Sequence, residues 1–319
     1  KLQFYFSLAL ILGVIALGGI TFNMADTPFA NMQPIFNETQ PILVSIVLIL
    51  AIAPWAYVGF DNVPQAAEEF AFSHKKATWL MIFSLFATFV VYAIMIGVTS
   101  WSFPSWMLPE NSLWLTGQLV DAMLGPIGIS VLAIAIMMGI FTGLNGFYMS
   151  SSRLLFAMAR ARALPNFFRT LTEKQKTPIW GIWFVTIIAL PMPWFGRQAL
   201  EWIVDMSSLG VSVAYFFASF AAYKVLAWAK HDRGIEIAPI RKVLALFGML
   251  ASLVFIGLLL IPSSPASLSA PSYGLLAGWI ALGLIFYLAI RKRYNSLTAE
   301  ETEHYILGES MKEKIENNY

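Results

Sequence analysis

The 319-residue chain is 58% hydrophobic and 15% aromatic but only 12% charged, about half the charge of an average soluble domain. So little charged surface cannot coat a water-soluble particle of this size, and the mean hydropathy of +0.70 points to lipid as the solvent. A net charge of +2, with no basic stripe interleaved with aromatics, gives no reason to expect a nucleic-acid partner. The absence of cysteine excludes disulfides, thiolate metal sites and cysteine nucleophiles.

In chain order the apolar segments are 3–21, 42–60, 78–100, 128–150, 179–195, 202–228, 243–262 and 271–290. Each approaches the ~20 residues that cross ~30 Å of hydrocarbon as a helix. None shows the strict alternation of a barrel strand. The expected fold class is an all-α polytopic membrane protein with eight transmembrane helices.

The connections alternate in charge. Segments 22–41, 101–127 and 262–271 have no Lys or Arg, and 196–201 has only Arg197. Most basic residues fall in 71–77, 151–178, 229–242 and 291–319. The positive-inside rule then places both ends of the chain in the cytoplasm, and the expected location is the cytoplasmic membrane. An apolar run follows Lys1 directly, and a fragment of a longer chain is expected. The long connection 101–127, with Leu113, Trp114, Leu115, Leu119, Val120 and Met123, is read as short helices over the external mouth. In the tail 291–319, Thr298-x-x-Glu301 has the pattern of a capping box, although composition favours a solvated segment.

Ionisable groups inside apolar spans are costly and mark candidate sites. Asp61 follows Ala53-Pro54-Trp55-Ala56-Tyr57-Val58-Gly59-Phe60 and precedes Asn62-Val63-Pro64. Two readings stand side by side. In one, a single helix spans 42–60 and Asp61 opens the next loop. In the other, Pro54, Gly59 and Pro64 break a longer segment into two half-helices, exposing backbone groups at the bilayer midplane. Residues 62–70 would be the second half-helix, with Asp61 or Asn62 as its N-cap in preference to a proton-carrying Asp61.

Farther on, Thr142, Asn145, Ser150 and Ser151 offer oxygens along a possible ion or substrate path, and Ser207 and Ser208 offer more. Small and hydroxyl residues also let membrane helices pack closely, which is the commoner use. Arg153, Arg160 and Arg162 are expected at lipid headgroups, and Arg197 beside Glu201 reads as a surface ion pair. His74, His231 and His304 lack partners at ligand spacing, so no metal site is expected. No phosphate-binding loop, zinc-protease motif or nucleophile elbow is present; neither an enzyme nor a cofactor is expected. The alternatives to a carrier are a membrane-embedded enzyme or protease using Asp61, and a pore or structural subunit.

The segment W-A-Y-V-G-F-D-N-V-P-Q-A-A-E-E at 55–69 resembles the sixth-helix signature of amino acid permeases in the amino acid–polyamine–organocation superfamily. G-L-N-G-F-Y-M-S-S-S-R-L-L-F-A-M-A-R-A-R-A-L-P at 143–165 is similar to that family's eighth-helix pattern, in the right order and separation. The resemblance covers essentially all of 1–295 and implies family helices five to twelve, the carboxy-terminal two-thirds of a five-plus-five inverted repeat with two extra helices. It divides the chain into 1–21, the last helix of the first repeat; 22–228, the second repeat, broken near Gly59; 229–290, the additional pair; and 291–319, a cytoplasmic tail.

The implied function is secondary transport of amino acids or related amines by alternating access, proton-coupled or by exchange. The implied partners are that substrate, a coupling proton or cation, the lipid bilayer, and the missing amino-terminal part of the same transporter. In the substrate segment Trp55 would stack on the substrate, Ala56 and Val58 would line the pocket, Gly59 would give backbone access, and Phe60 and Asp61 would support the gate. The family's glycine-rich first helix is absent, so the chain by itself is not expected to transport. The N-P-x-R turn of many relatives is replaced by F-A-F-S-H-K-K.

Overall fold

A computed structural model describes residues 2–33, 35, 39–65, 67, 71–102, 114–233 and 238–307. Its helices are α1 (Leu2–Met24), α2 (Pro28–Asn31), α3 (Ile42–Ala56), α4 (Asn62–Gln65), α5 (His74–Ser102), α6 (Leu115–Arg160), α7 (Ile179–Ala189), α8 (Gln198–Arg233), α9 (Pro239–Leu260), α10 (Ala270–Tyr294) and α11 (Ala299–Leu307). No strand occurs among the described residues.

Six helical stretches are long and apolar enough to cross a membrane, namely Gln3–Met24, Lys75–Ser102, Leu115–Arg160, Gln198–Trp228, Pro239–Leu260 and Ala270–Tyr294. This is an all-helical, multi-pass membrane protein. The other two expected spans form shorter apolar helices. The 15 residues of α3 rise only ~22 Å. The 11 of α7 rise ~16 Å, before a turn and the tight 3-10 helix Met192–Phe195.

The chain separates into two compact units, residues 1–42 with 59–150, and residues 43–58 with 151–319. In the first, α1 and α2 pack on α5. Leu17, Val98, Val120 and Leu132 form its buried core. Trp101 ties the three helices together: its indole N–H donates to Thr21 Oγ1 (3.0 Å), and its carbonyl accepts from Asn31 Nδ2 (2.9 Å). The expected short helix of the 101–127 connection starts at Leu115 and buries Leu119 and Val120. Gly125, at φ 63° and ψ −160°, bends the backbone there ahead of Pro126; residues 103–113 lie outside the described ones.

In the second unit, α8 packs on α9 and α10 around Ala51, Leu209, Leu259 and Leu268. A separate cluster of Ala159, Leu164 and Phe168, with Leu155, Phe184 and Phe286 against it, joins the end of α6 to α7 and α10. At Gly181 the α7 backbone lies close to that of α6: an added Cβ would stand 3.1 Å from Ser152 Cα.

The tail differs from the solvated segment that composition favours. Thr298 and Glu301 form the capping box: the Thr298 amide donates to Glu301 Oε2 (2.9 Å), and the Glu301 amide donates to Thr298 Oγ1 (3.2 Å). Two of the amides that a helix start leaves unpaired are thereby satisfied, and α11 follows at once. Residues 308–319 lie outside the described ones.

Candidate functional site

In the segment singled out by its sequence, turns at residues 57–61 follow the end of α3 and precede the short helix α4. α3 does not continue to residue 60: it contains Pro54 and stops at Ala56, so the reading of one helix over 42–60 is corrected. Beyond Ala53 the backbone bonds shorten to tight turns. Tyr57 N–H donates to Ala53 O (3.3 Å), but Val58 donates to Trp55 (3.1 Å), Asn62 to Gly59 (3.2 Å) and Val63 to Phe60 (3.3 Å). Gly59 stands at φ 132° with open space where a side chain would begin. The need for glycine is therefore conformational, not steric.

Among the described residues, the side-chain bond of Asp61 runs backward. Its Oδ1 accepts the Gly59 amide at 2.8 Å, reaching back over the turn, where capping of α4 was expected. Of the second half-helix, only Asn62–Gln65 is described as helical. Trp55 is 41% exposed, whereas Ala56, Val58, Phe60 and Asp61 are half-buried. Trp55, Ala56 and Val58 belong to one compact unit, Gly59, Phe60 and Asp61 to the other.

The other candidate residues fall into separate settings. On α6, Asn145 Nδ2 donates to Gln3 Oε1 (3.1 Å), and Gln3 Nε2 donates to the Thr142 carbonyl (3.3 Å), linking α6 to α1. The Thr142 hydroxyl is buried without a partner among the described residues. Ser150 turns its hydroxyl onto its own helix at Phe147 O (3.2 Å). Ser151 is half-buried, in the other unit. On α8, Ser207 is half-buried, and Ser208 is fully buried with its hydroxyl unpartnered among the described residues.

One polar cluster escaped the sequence reading. Asp205 on α8 accepts from the Ser269 amide (3.2 Å), the Ser269 hydroxyl (3.3 Å) and the Ser272 hydroxyl (2.7 Å), all at one carboxylate oxygen. Ser269 occupies the N-cap position of α10 without capping it by its own side chain. The carboxylate of another helix supplies the negative charge that a helix start favours. A lone carboxylate in an apolar span, and a serine-rich stretch before the last span, were the available signals. No group of His, Asp or Glu among the described residues is arranged to hold a metal.

The family model for amino acid permeases matches residues 1–285. The chain belongs to this family. It resembles several curated relatives. The large neutral amino acids transporter small subunit 2 of Rattus norvegicus is 26% identical over 78% of this chain and 45% of its own length. A branched-chain amino acid permease of Lactococcus lactis is 24% identical over 75% of this chain and 49% of its own length. A histidine permease of the same bacterium is 23% identical over 68% of this chain and 46% of its own length. The chain thus spans about half the length of the curated relatives it matches. The broken segment, the α1–α6 polar link and the Asp205 cluster all lie inside the matched region.

Proposed function

We propose that this permease chain is part of a secondary transporter that moves amino acids or related amines across the plasma membrane by alternating access. The observation that carries the reading is the helix break at residues 57–61, centred on Gly59, within a segment that resembles the family's substrate signature. A broken helix offers backbone donors and acceptors to the ammonium and carboxylate of an amino acid without burying a fixed side-chain charge. Trp55, exposed by 41%, would stack on the substrate side chain. Ala56 and Val58 would line the pocket, and Phe60 and Asp61 would support the gate. Thr142, Asn145, Ser150, Ser151, Ser207 and Ser208 are proposed as oxygens on the ion or substrate path.

The same reading counts α3 and α7 with the six longer helices as eight spans. It places them in a five-plus-five inverted repeat with two additional helices, both chain ends being cytoplasmic. The remainder of the substrate site would come from helices outside these 319 residues, in keeping with the share of the relatives that the chain covers. Coupling is to a proton or by exchange.

Uptake of a mixed pool of radiolabelled amino acids into proteoliposomes tests this, using the parent protein with and without an imposed proton gradient. Saturable uptake that Trp55→Ala reduces by at least tenfold is the expected result. No uptake under any gradient would remove amino acids as the substrate class, and uptake unaltered by Trp55→Ala would displace the site from residues 55–61.

A further inference from the structure

Just past the end of α6 stands an arginine where helices ordinarily place glycine. Ala163 N–H donates to Met158 O (2.9 Å), and Arg162 N–H donates to Ala159 O (3.1 Å). This is the paired hydrogen-bond pattern of a Schellman ending. Its C′ residue is Arg162, at φ 63°, a left-handed conformation that strains a residue with a Cβ. The backbone bonds are complete without any side chain, so the turn itself gives no reason to prefer arginine.

The reason lies in what the side chain reaches. The Arg162 guanidinium lies 4.5 Å from the centre of the Tyr305 ring, and its Nη2 donates to the Tyr305 hydroxyl at 3.1 Å. Tyr305 belongs to α11, 143 residues later in the chain. A second tie runs beside it, from Arg293 at the end of α10 to the side chain of Asn166 just past the turn. The Arg162 charge also helps hold the Glu301 carboxyl below its ordinary range, after the hydrogen bonds from Thr298. Arg162, which charge pattern alone assigns to lipid headgroups, is turned onto α11.

We infer that α11 is a docked strap over the connection between α6 and α7, and that Arg162 occupies a strained glycine position in order to hold it there. Docked, the strap restrains the loop 161–178; released, it frees both the loop and the guanidinium. The contact is independent of what the protein transports.

The chain has no cysteine, so spin labels can be placed at will on the exposed positions Glu300 and Gln175 through Glu300→Cys and Gln175→Cys in the full chain in nanodiscs. The expected distance distribution is narrow. Arg162→Gly should shift the docked-to-free ratio by about tenfold, increase the motion of the label at 175 and leave the thermal midpoint no lower, because glycine relieves the turn. A distribution that stays narrow in Arg162→Gly overturns the strap. If the midpoint falls instead, Tyr305→Leu decides, since it leaves the turn untouched: broadening supports the strap, and no change overturns it.

Discussion

Asp61 and Asp205 are both carboxylates near or within apolar segments, and the chain uses them in opposite ways. Asp61 bonds an amide two residues away. Asp205 bonds residues 64 and 67 positions away, on another helix. A local bond closes a turn and can be remade within that turn. A distant one fixes the spacing of two helices and is lost when they part. The first arrangement suits a segment that must rearrange around a ligand, the second a segment that must not. The proposed substrate segment contains the first.

Asp205→Ala should give the largest effect, because it removes the acceptor of three hydrogen bonds and leaves the fully buried Ser272 hydroxyl without that partner. A loss of about 2–3 kcal/mol is expected, read from unfolding in detergent. Asp205→Asn, which keeps an acceptor but not the charge facing α10, should lose about 1 kcal/mol. Gly59→Ala comes next: with open space around it, the cost is the φ of 132° alone, about 1–2 kcal/mol. Its effect on uptake should exceed its effect on stability.

Asp61→Ala should lower stability by no more than about 1 kcal/mol. If it costs as much as Asp205→Ala in the same unfolding assay, the contrast between local and distant carboxylates is wrong. The smallest effect is at Glu301, whose carboxyl is held below its ordinary range by the Thr298 amide and hydroxyl, and more weakly by Arg162. A lowered folded-state value means that the cap stabilises α11 fully above the ordinary carboxylate range. That contribution disappears as the pH falls through the lowered value. Acid titration of the label at position 300 should show motion increasing in that direction, and Glu301→Gln should flatten the response.

The apolar segments were legible because burial in lipid writes itself as long uncharged runs, and each of the eight contains a helix in the structure. That the helix stops short of residue 60 was legible as one of two alternatives, since Pro54 and Gly59 are local instructions. The Thr298–Glu301 box was visible in the sequence, but composition pulled the reading towards a solvated tail. The direction of the Asp61 bond was not legible, because forward capping and backward closure use the same residue types. Asp205 with Ser269 and Ser272, Gln3 with Thr142 and Asn145, and Arg162 with Tyr305 were invisible for a different reason. Each pair is brought together only by packing of elements far apart in the chain.

The near contact of Gly181 with Ser152 bears on how the protein meets bilayers of different thickness. A helix as short as α7 covers about half of the hydrocarbon depth, and an isolated helix would settle mismatch by sliding or tilting. Here the missing methyl group lets α7 lie directly on the α6 backbone, so its depth follows α6. Thickening the membrane should then fall on the turn at Leu190–Phe195, which would stretch or draw lipid inward, while α7 keeps its register. Glycine at 181 thus acts as a depth gauge as well as a packing residue.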